Sequence, residues 1–440
     1  MALVEPRLLD GFCDFPPDVS SLRNHVVERI GRVFEAFGFA PMRTPAIEHA
    51  DMLVGQYGQE AERQVYRLTD NGQRVALRAD LTVPLARHVA MNHRNLKLPI
   101  RRYQTGMIFS VNPTGRSRES MVCDADIVGT RSSLADAECI ALAHALLKEL
   151  GVHGATICFN NRKIYRGLQN VMGLDESRFL SLLRLLNRMA TIGEEEVRRA
   201  LTEDVKLPEK DVARVFETLT LPVGTLEARL DEAAKRFSGS QLARAAVSEL
   251  REVLAGARAL GVPDEALEID LFTTRSLDYY TSTVFKTRIA SMPGFSSVIS
   301  GGRYDDLVSV FLGQMVPAVG LGVRVDQLVE ALQKLGRTPP GGGLSLRALV
   351  VVPGPSQAGA AMSLATELRN AGVSCEFTFD PAEPMTQQLR RAATMKVPFT
   401  VQPTGRPGEV VLQSIADGSE ASVTLAEAVD AIRSWTPDQA

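Results

Sequence analysis

The sequence predicts an α+β core, an antiparallel sheet with flanking helices, interrupted by a helical insertion and followed by a small C-terminal α/β domain. Three observations carry that reading. Strand-like runs come in pairs joined by turn residues, on either side of Asp70-Asn71-Gly72, within 101–129 and within 281–300, as antiparallel strands do. Residues 163–265 then turn helical and charged. Beyond a proline and glycine linker at Thr338–Gly343, strands alternate with helices, the pattern of a largely parallel sheet.

Composition bounds the function. At 440 residues the chain exceeds one small core and suits two or three domains. A net charge of -3 excludes a globally basic nucleic-acid binder and leaves room for a local basic face. Five cysteines, Cys13, Cys123, Cys139, Cys158 and Cys375, lie far apart without CxxC spacing, so neither a zinc site nor a disulfide framework is expected. A reducing cytoplasm is the simplest setting. No signal-peptide pattern opens the chain and no apolar run is long enough to span a bilayer, so a cytoplasmic protein without membrane contact is expected.

Taken in order, residues 1–20 are irregular, with Asp18 or Ser20 available to cap a helix. Val26, Ile30, Val33, Phe34 and Phe37 recur at helical spacing from Leu22 to Phe37, and Gly38 ends the run. FAPMRTPAIE reads as a strand interrupted by Pro41 and Pro45, which favours an edge. Asp70-Asn71-Gly72 joins two short strands, and a helix starts near Pro84. A strand ends at Phe109, a loop carries Asn112, Pro113 and Gly115, and a returning strand ends at Gly129. Asp136–Leu150 is a helix with His144 on its surface, and a strand follows from about Val152 to Phe159. In the last domain, RALVVVP, VSCEFTFD and FTVQP are strands, with helices over Gln357–Ala371 and Met385–Met395 between them.

The stretch Arg275–Leu307 organises the site. A cation, an acid and two tyrosines open it, a strand follows with Thr281, Thr283, Phe285 and Thr287 on alternate positions, and a second strand at Ser297–Ser300 ends in Gly301-Gly302-Arg303-Tyr304-Asp305. The two glycines would let backbone approach a ligand, and both strands end in groups suited to a pocket floor. Core aromatics and an ordinary turn explain the same residues.

LDYYTSTVF and SGGRYDDL resemble the two histidine-binding signatures of histidyl-tRNA synthetases, RGLDYYTG and GGRYDGL, with Ser276, Ser282 and Asp306 in place of glycines. The resemblance covers nearly the whole chain and implies an α+β class II aminoacyl-tRNA synthetase core over 1–160 and 266–337, a helical insertion over 161–265, a linker at 338–345 and an anticodon-binding-like α/β domain over 346–440. The first helix and proline strand resemble motif 1, a dimer interface, with Pro45 as its proline. LRADLTVPLAR resembles a block in which Asp80 and Thr82 would hold an α-amino group; Asp80 reads equally as a helix N-terminal acid. Asn160-Asn161-Arg162 resembles the family's N-D-R turn, and LNRMATIGEEEVRRALTE its insertion, which would cover a tRNA acceptor end or form a solvated lid. QQLRRAATMKVPFTV resembles its anticodon-binding domain, where Arg390, Arg391 and Lys396 offer a modest basic face.

Residues 101–129 resemble motif 2, where the family grips the ATP α-phosphate with an arginine and follows it with an acid. Ser110 and Asn112 stand there. Arg116 and Arg118 remain in the loop, Asp126 occupies the place of a pocket acid, and Val122 replaces a pocket glutamine. MVPAVGLGVRVDQLVEAL resembles motif 3, with Asp326 at the acid and Gln327 at the ATP-clamping arginine; Arg324 lies three residues earlier. Losing one such donor costs on the order of 10²- to 10³-fold in rate.

By this resemblance the amino-acid pocket comprises Asp80, Thr82, Asp126, Arg275, Tyr279, Tyr280, Gly301, Gly302 and Tyr304, the nucleotide positions are Ser110, Arg116, Asp326 and Gln327, and Arg275 is catalytic if the chain is active. Histidine or a similar small molecule and a second copy of the chain are the implied partners, and tRNA is an open one. ATP and magnesium enter only with catalysis. Three functions follow: an active histidine–tRNA ligase; a non-catalytic paralogue that senses or regulates, as the regulatory subunit of ATP phosphoribosyltransferase does, although that group usually lacks the C-terminal domain; or a tRNA- or partner-binding module. The two neutral replacements favour the second in its general form.

Overall fold

The structure, a computed structural model, describes residues 4–54, 65–111, 117–274, 279–336 and 346–435. It divides into two compact units, Met1–Phe15 with Arg23–Pro339, and Pro16–Leu22 with Pro340–Ala440.

The first helix runs Pro17–Ala36, starting earlier than periodicity indicated. Proline is suited to a first helical position and Asp18 complements the helix dipole in the first turn. Its apolar stripe buries Val26, Ile30 and Phe34. The proline segment yields only β1 (Ala40–Pro41), before β2 (Ile47–His49). β3 (Arg67–Asp70) and β4 (Gln73–Leu77) form the expected hairpin, with Asn71 at φ 46° and Gly72 at φ 80°. β2, β4 and β3 make a small sheet, and the next helix starts at Thr82, two residues before Pro84.

The main sheet adds β5 (Ile100–Phe109), β6 (Glu119–Val128), β7 (Ala155–Asn161), β8 (Leu267–Ile269), β9 (Thr283–Ile289), β10 (Ile299–Arg303) and β11 (Ala318–Arg324). Its order is β1-β5-β6-β11-β10-β9-β7-β8. Only the edge pairings β1·β5 and β7·β8 are parallel. The pairings between them are antiparallel, and they place Arg102, Asp126, Gly320, Gly302, Val284 and Asn160 in one row across the sheet. Residues paired in register share a face, so this row, with Ser300 and Asp124 in the next, builds one surface. The opposite face packs against the helix Ser133–Glu149.

Asn160 and Asn161 end a strand that runs directly into the helix Arg162–Met172, so no separate turn forms there. Asn161 caps that helix, and the Asn160 amide donates to the carbonyls of Leu271 and Thr273. Five more helices follow, Glu176–Ile192, Glu194–Glu203, Glu209–Leu219, Leu226–Arg236 and Gln241–Ala259. The chain then re-enters the sheet at β8 and later leaves it through β11 into the helix Val325–Lys334.

The second unit contains β12 (Ala348–Val350), β13 (Cys375–Phe377), β14 (Phe399–Pro403), β15 (Glu409–Ser414) and β16 (Glu420–Thr424), in the order β13-β12-β14-β15-β16. The sheet is mixed: β12 pairs parallel with β13 and β14, but β14·β15 and β15·β16 are antiparallel. Gly418 at φ 71° sits in the tight turn between β15 and β16, where a two-strand meander needs no crossover helix. Helices Ala358–Asn370, Met385–Thr394 and Leu425–Ser434 complete it. Among the described residues no helix is long and apolar enough to cross a membrane.

Candidate functional site

The centre of the candidate pocket is a buried polar cluster. Asp126 and Arg102 face each other across β5 and β6, each side chain 3 % exposed, with Nη2 2.8 Å from Oδ2. The Tyr304 hydroxyl donates to Asp126 Oδ1 at 2.5 Å. Burial pushes the Asp126 carboxyl up, while Arg102 and then the Tyr304 hydrogen bond pull it down. Gly320 makes the arrangement possible, since a Cβ there would lie 2.0 Å from Asp126 Oδ1.

Aromatic rings wall this cluster. Tyr279 packs on Tyr280 with centroids 4.9 Å apart and meets Tyr304 edge-on at 5.8 Å. Gly301 and Gly302 do not open the floor to a ligand in the way the sequence suggested. A Cβ at Gly301 would lie 2.1 Å from the Gly320 carbonyl and 2.7 Å from the Phe285 ring; at Gly302, 2.5 Å from the Thr283 carbonyl and 2.9 Å from Tyr280. The room is filled by the chain's own atoms.

Asp80 does what a helix N-terminal acid does: its Oδ1 accepts from the amides of Thr82 at 3.2 Å and Val83 at 3.0 Å. Thr82 is buried at the first turn of that helix. Arg102 joins this segment to Asp126, because Nη2 also donates to the Leu81 carbonyl at 3.1 Å. Arg303, next to Tyr304, points the other way and binds the Asp136 carboxylate and the carbonyls of Thr130 and Ser132. It is a structural anchor. Ser282, in a glycine's place, donates to Glu249 at 2.7 Å, and Glu249 also binds Asn161 and Lys163. The signature strand is thereby tied to the insertion helix Gln241–Ala259.

At the described nucleotide positions, Ser110, Asp326 and Gln327, the side chains are neutral or already engaged. Ser110 follows β5, and its amide donates to the Arg118 carbonyl at 2.9 Å. Asp326 lies in the first turn of its helix, with Oδ1 2.6 Å from Arg23 Nη2 and Oδ2 accepting from the Met121 amide at 2.9 Å. The Arg23 guanidinium also lies 3.7 Å from the centre of the Phe15 ring. Gln327 Oε1 is buried without a hydrogen-bond partner among the described residues. Val122 is buried, and Arg324 ends β11 exposed, paired with Val122 on the face that carries Asp124 and Asp126. Arg116 and Arg275, with Asn112 and Ser276, lie outside the described residues.

Arg102 and Arg23 escaped the sequence reading. Arg23 lies in the motif 1 helix and Arg102 in the first motif 2 strand, at positions where the motif reading assigned no role, and only the strand register opposes Arg102 to Asp126. Among the described residues no group of three or more His, Cys, Asp or Glu is arranged to hold a metal ion.

A long motif 2 hairpin, an antiparallel sheet backed by helices, and a strand leading straight into a helix at motif 3 define a class II aminoacyl-tRNA synthetase core. Family models agree on the particular branch: "Histidyl-tRNA synthetase" matches residues 11–328, and "Anticodon binding domain" matches 347–435. The chain belongs to the histidyl-tRNA synthetase family. It is 36 % identical over 395 residues to the histidine–tRNA ligase of Rhodopirellula baltica, covering 89 % of this chain and 88 % of that protein. With the Aeropyrum pernix ligase it shares 35 % over 446 residues, covering 99 % of this chain and the whole of the other. The crystal structure of histidyl-tRNA synthetase from Nostoc sp. PCC 7120 superposes with a TM-score of 0.84 at 27 % identity, over 98 % of this chain and 99 % of that one. A structure from Bacillus halodurans described as an ATP phosphoribosyltransferase regulatory subunit/histidyl-tRNA synthetase shares the fold at 23 % identity and TM-score 0.74, over 91 % and 99 % of the two chains.

Proposed function

We propose that the chain is a synthetase-like paralogue that binds histidine or a similar amino acid, works as a homodimer, and has lost ATP-dependent activation, acting as a sensor or regulatory subunit. One observation carries the proposal: the two positions where the family holds phosphate oxygens with guanidinium groups are Ser110 and Gln327. Nucleotidyl transfer gains its rate from positioned positive charge around the phosphorus, and a hydroxyl and an amide carry none. Nearby, Asp326 is engaged by Arg23 and the Met121 amide. On this reading Ser110 and Gln327 do not fit a triphosphate's charge, so no activation step is assigned to them, and magnesium would arrive only with the nucleotide.

The names of the relatives favour a second reading, an active histidine–tRNA ligase, because 35 % identity to the Aeropyrum pernix enzyme extends over 99 % of this chain. Pyrophosphate exchange with histidine and ATP separates the two. The paralogue reading expects calorimetric binding of histidine and no histidine-dependent exchange above background. Exchange at a rate comparable to that of a working ligase sinks it. A cytoplasmic setting and an optional tRNA partner complete the proposal.

A further inference from the structure

Among the described residues, Arg102 is the cation beside the candidate pocket whose donors are left unmade. It is 3 % exposed, and its hydrogen bonding is confined to Nη2, which reaches the Leu81 carbonyl and lies against Asp126 in an ion pair whose angles are not those of a hydrogen bond. Nε and Nη1 are buried and have no partner among the described residues. A buried donor left unmade costs its full desolvation, and such groups in a folded protein call for an explanation. The same guanidinium lies, through Nη2, between the Asp126 carboxylate on one side and the Leu81 carbonyl on the other.

Charge adds a second argument. A lone carboxylate in a buried pocket recruits a cation, but Asp126 already has Arg102 as its counter-ion and the Tyr304 hydroxyl on its other oxygen. A positively charged side chain entering here would meet the guanidinium before it met an unpaired carboxylate. The same positive field reaches His88, held below its ordinary value by burial first and then by Arg87 and Arg102.

We infer that Arg102 sets the ligand class of this pocket: it accepts an amino acid whose side chain is uncharged or anionic and takes hydrogen bonds, such as a neutral imidazole, an amide or a carboxylate, and it turns away cationic side chains. The inference rests on the pocket being retained as proposed above. It makes Arg102 a specificity residue, with Asp126 as the group that holds the guanidinium in place.

Calorimetric titration of the full chain at pH 7.5 with histidine, glutamine, glutamate and lysine tests this. Histidine, glutamine or glutamate should bind at least about tenfold more tightly than lysine, the scale on which a pocket built for hydrogen bonding discriminates. Arg102→Leu should narrow or reverse that ratio. An Arg102→Met/Asp126→Asn double variant, which leaves no lone buried charge, should narrow it even where the single variant folds poorly. Lysine binding as well as the others to the wild-type chain, or a ratio unchanged in a folded variant, overturns the role of Arg102 and leaves the retained pocket standing. No binding of any of the four to folded wild-type protein overturns the retained pocket, and this inference falls with it.

Discussion

The row from Arg102 through Asp126 to Tyr304 and the positions Ser110 and Gln327 belong to one catalytic-like unit and differ in how charge is balanced. In the first, a carboxylate, a guanidinium and a phenol close on one another inside the sheet, and Gly320 is shaped to the carboxylate. In the second, a hydroxyl and an amide stand at the positions proposed for phosphate, and the amide oxygen of Gln327 is buried without a partner among the described residues. Uniform drift would erode both alike. The proposed function accounts for the contrast: it keeps the interlocked polar groups for a ligand and leaves the phosphate positions without charge.

The sharpest way to break the comparison is to restore the clamp. Ser110→Arg/Gln327→Arg should raise histidine-dependent pyrophosphate exchange by about 10²-fold or more over wild type, the usual value of one such donor. No gain in a folded double variant would mean that more than these two charges has been lost. The next largest effect belongs to the other region. Asp126→Asn leaves the Arg102 guanidinium buried without a counter-ion, and urea denaturation should report a loss of about 3–5 kcal/mol. A loss under about 1 kcal/mol would show that the pair is dispensable to the fold. Tyr304→Phe removes one hydrogen bond to a charged acceptor while keeping the ring that packs on Tyr279, so a loss of about 1.5–3 kcal/mol is expected by the same measurement.

Much of this division was legible in the residues, and the limits are physical. Asn71-Gly72 announced its hairpin because few other pairs accept positive φ at both positions. The long strands of motif 2 announced themselves through turn residues and alternation. The start of the first helix was missed because Pro16-Pro17 reads as irregular, although a proline opens a helix well. The antiparallel half of the C-terminal sheet was missed because β15 follows a βαβ pattern that makes further parallel strands look natural. Arg102 stayed hidden because its role depends on register with a strand partner 24 positions later, and a slip of one residue would have sent it to the other face. The turning of Arg303 to the other face was legible, since strand alternation separates it from Gly302 and Tyr304.

The smallest effect sharpens the comparison from a third place, the tether between the signature strand and the insertion. Glu249 binds Lys163, Ser282 and Asn161 at once, and these contacts outweigh burial and hold its carboxyl below the ordinary value of 4.5. A carboxyl held down in the folded state contributes stability that is present above its unfolded value and is lost as pH falls through the folded one. Glu249→Gln should therefore cost about 1–2 kcal/mol at pH 7 and flatten the fall in stability of wild type below pH 4.5, a difference that converges in stronger acid. Histidine binding at pH 7 should change little, because the Glu249 carboxylate is taken up by Asn161, Lys163 and Ser282. If the variant instead lost ligand binding with its stability intact, Ser282 would be more than a tether, and the line between structural and ligand-facing residues would have to move to include the insertion helix.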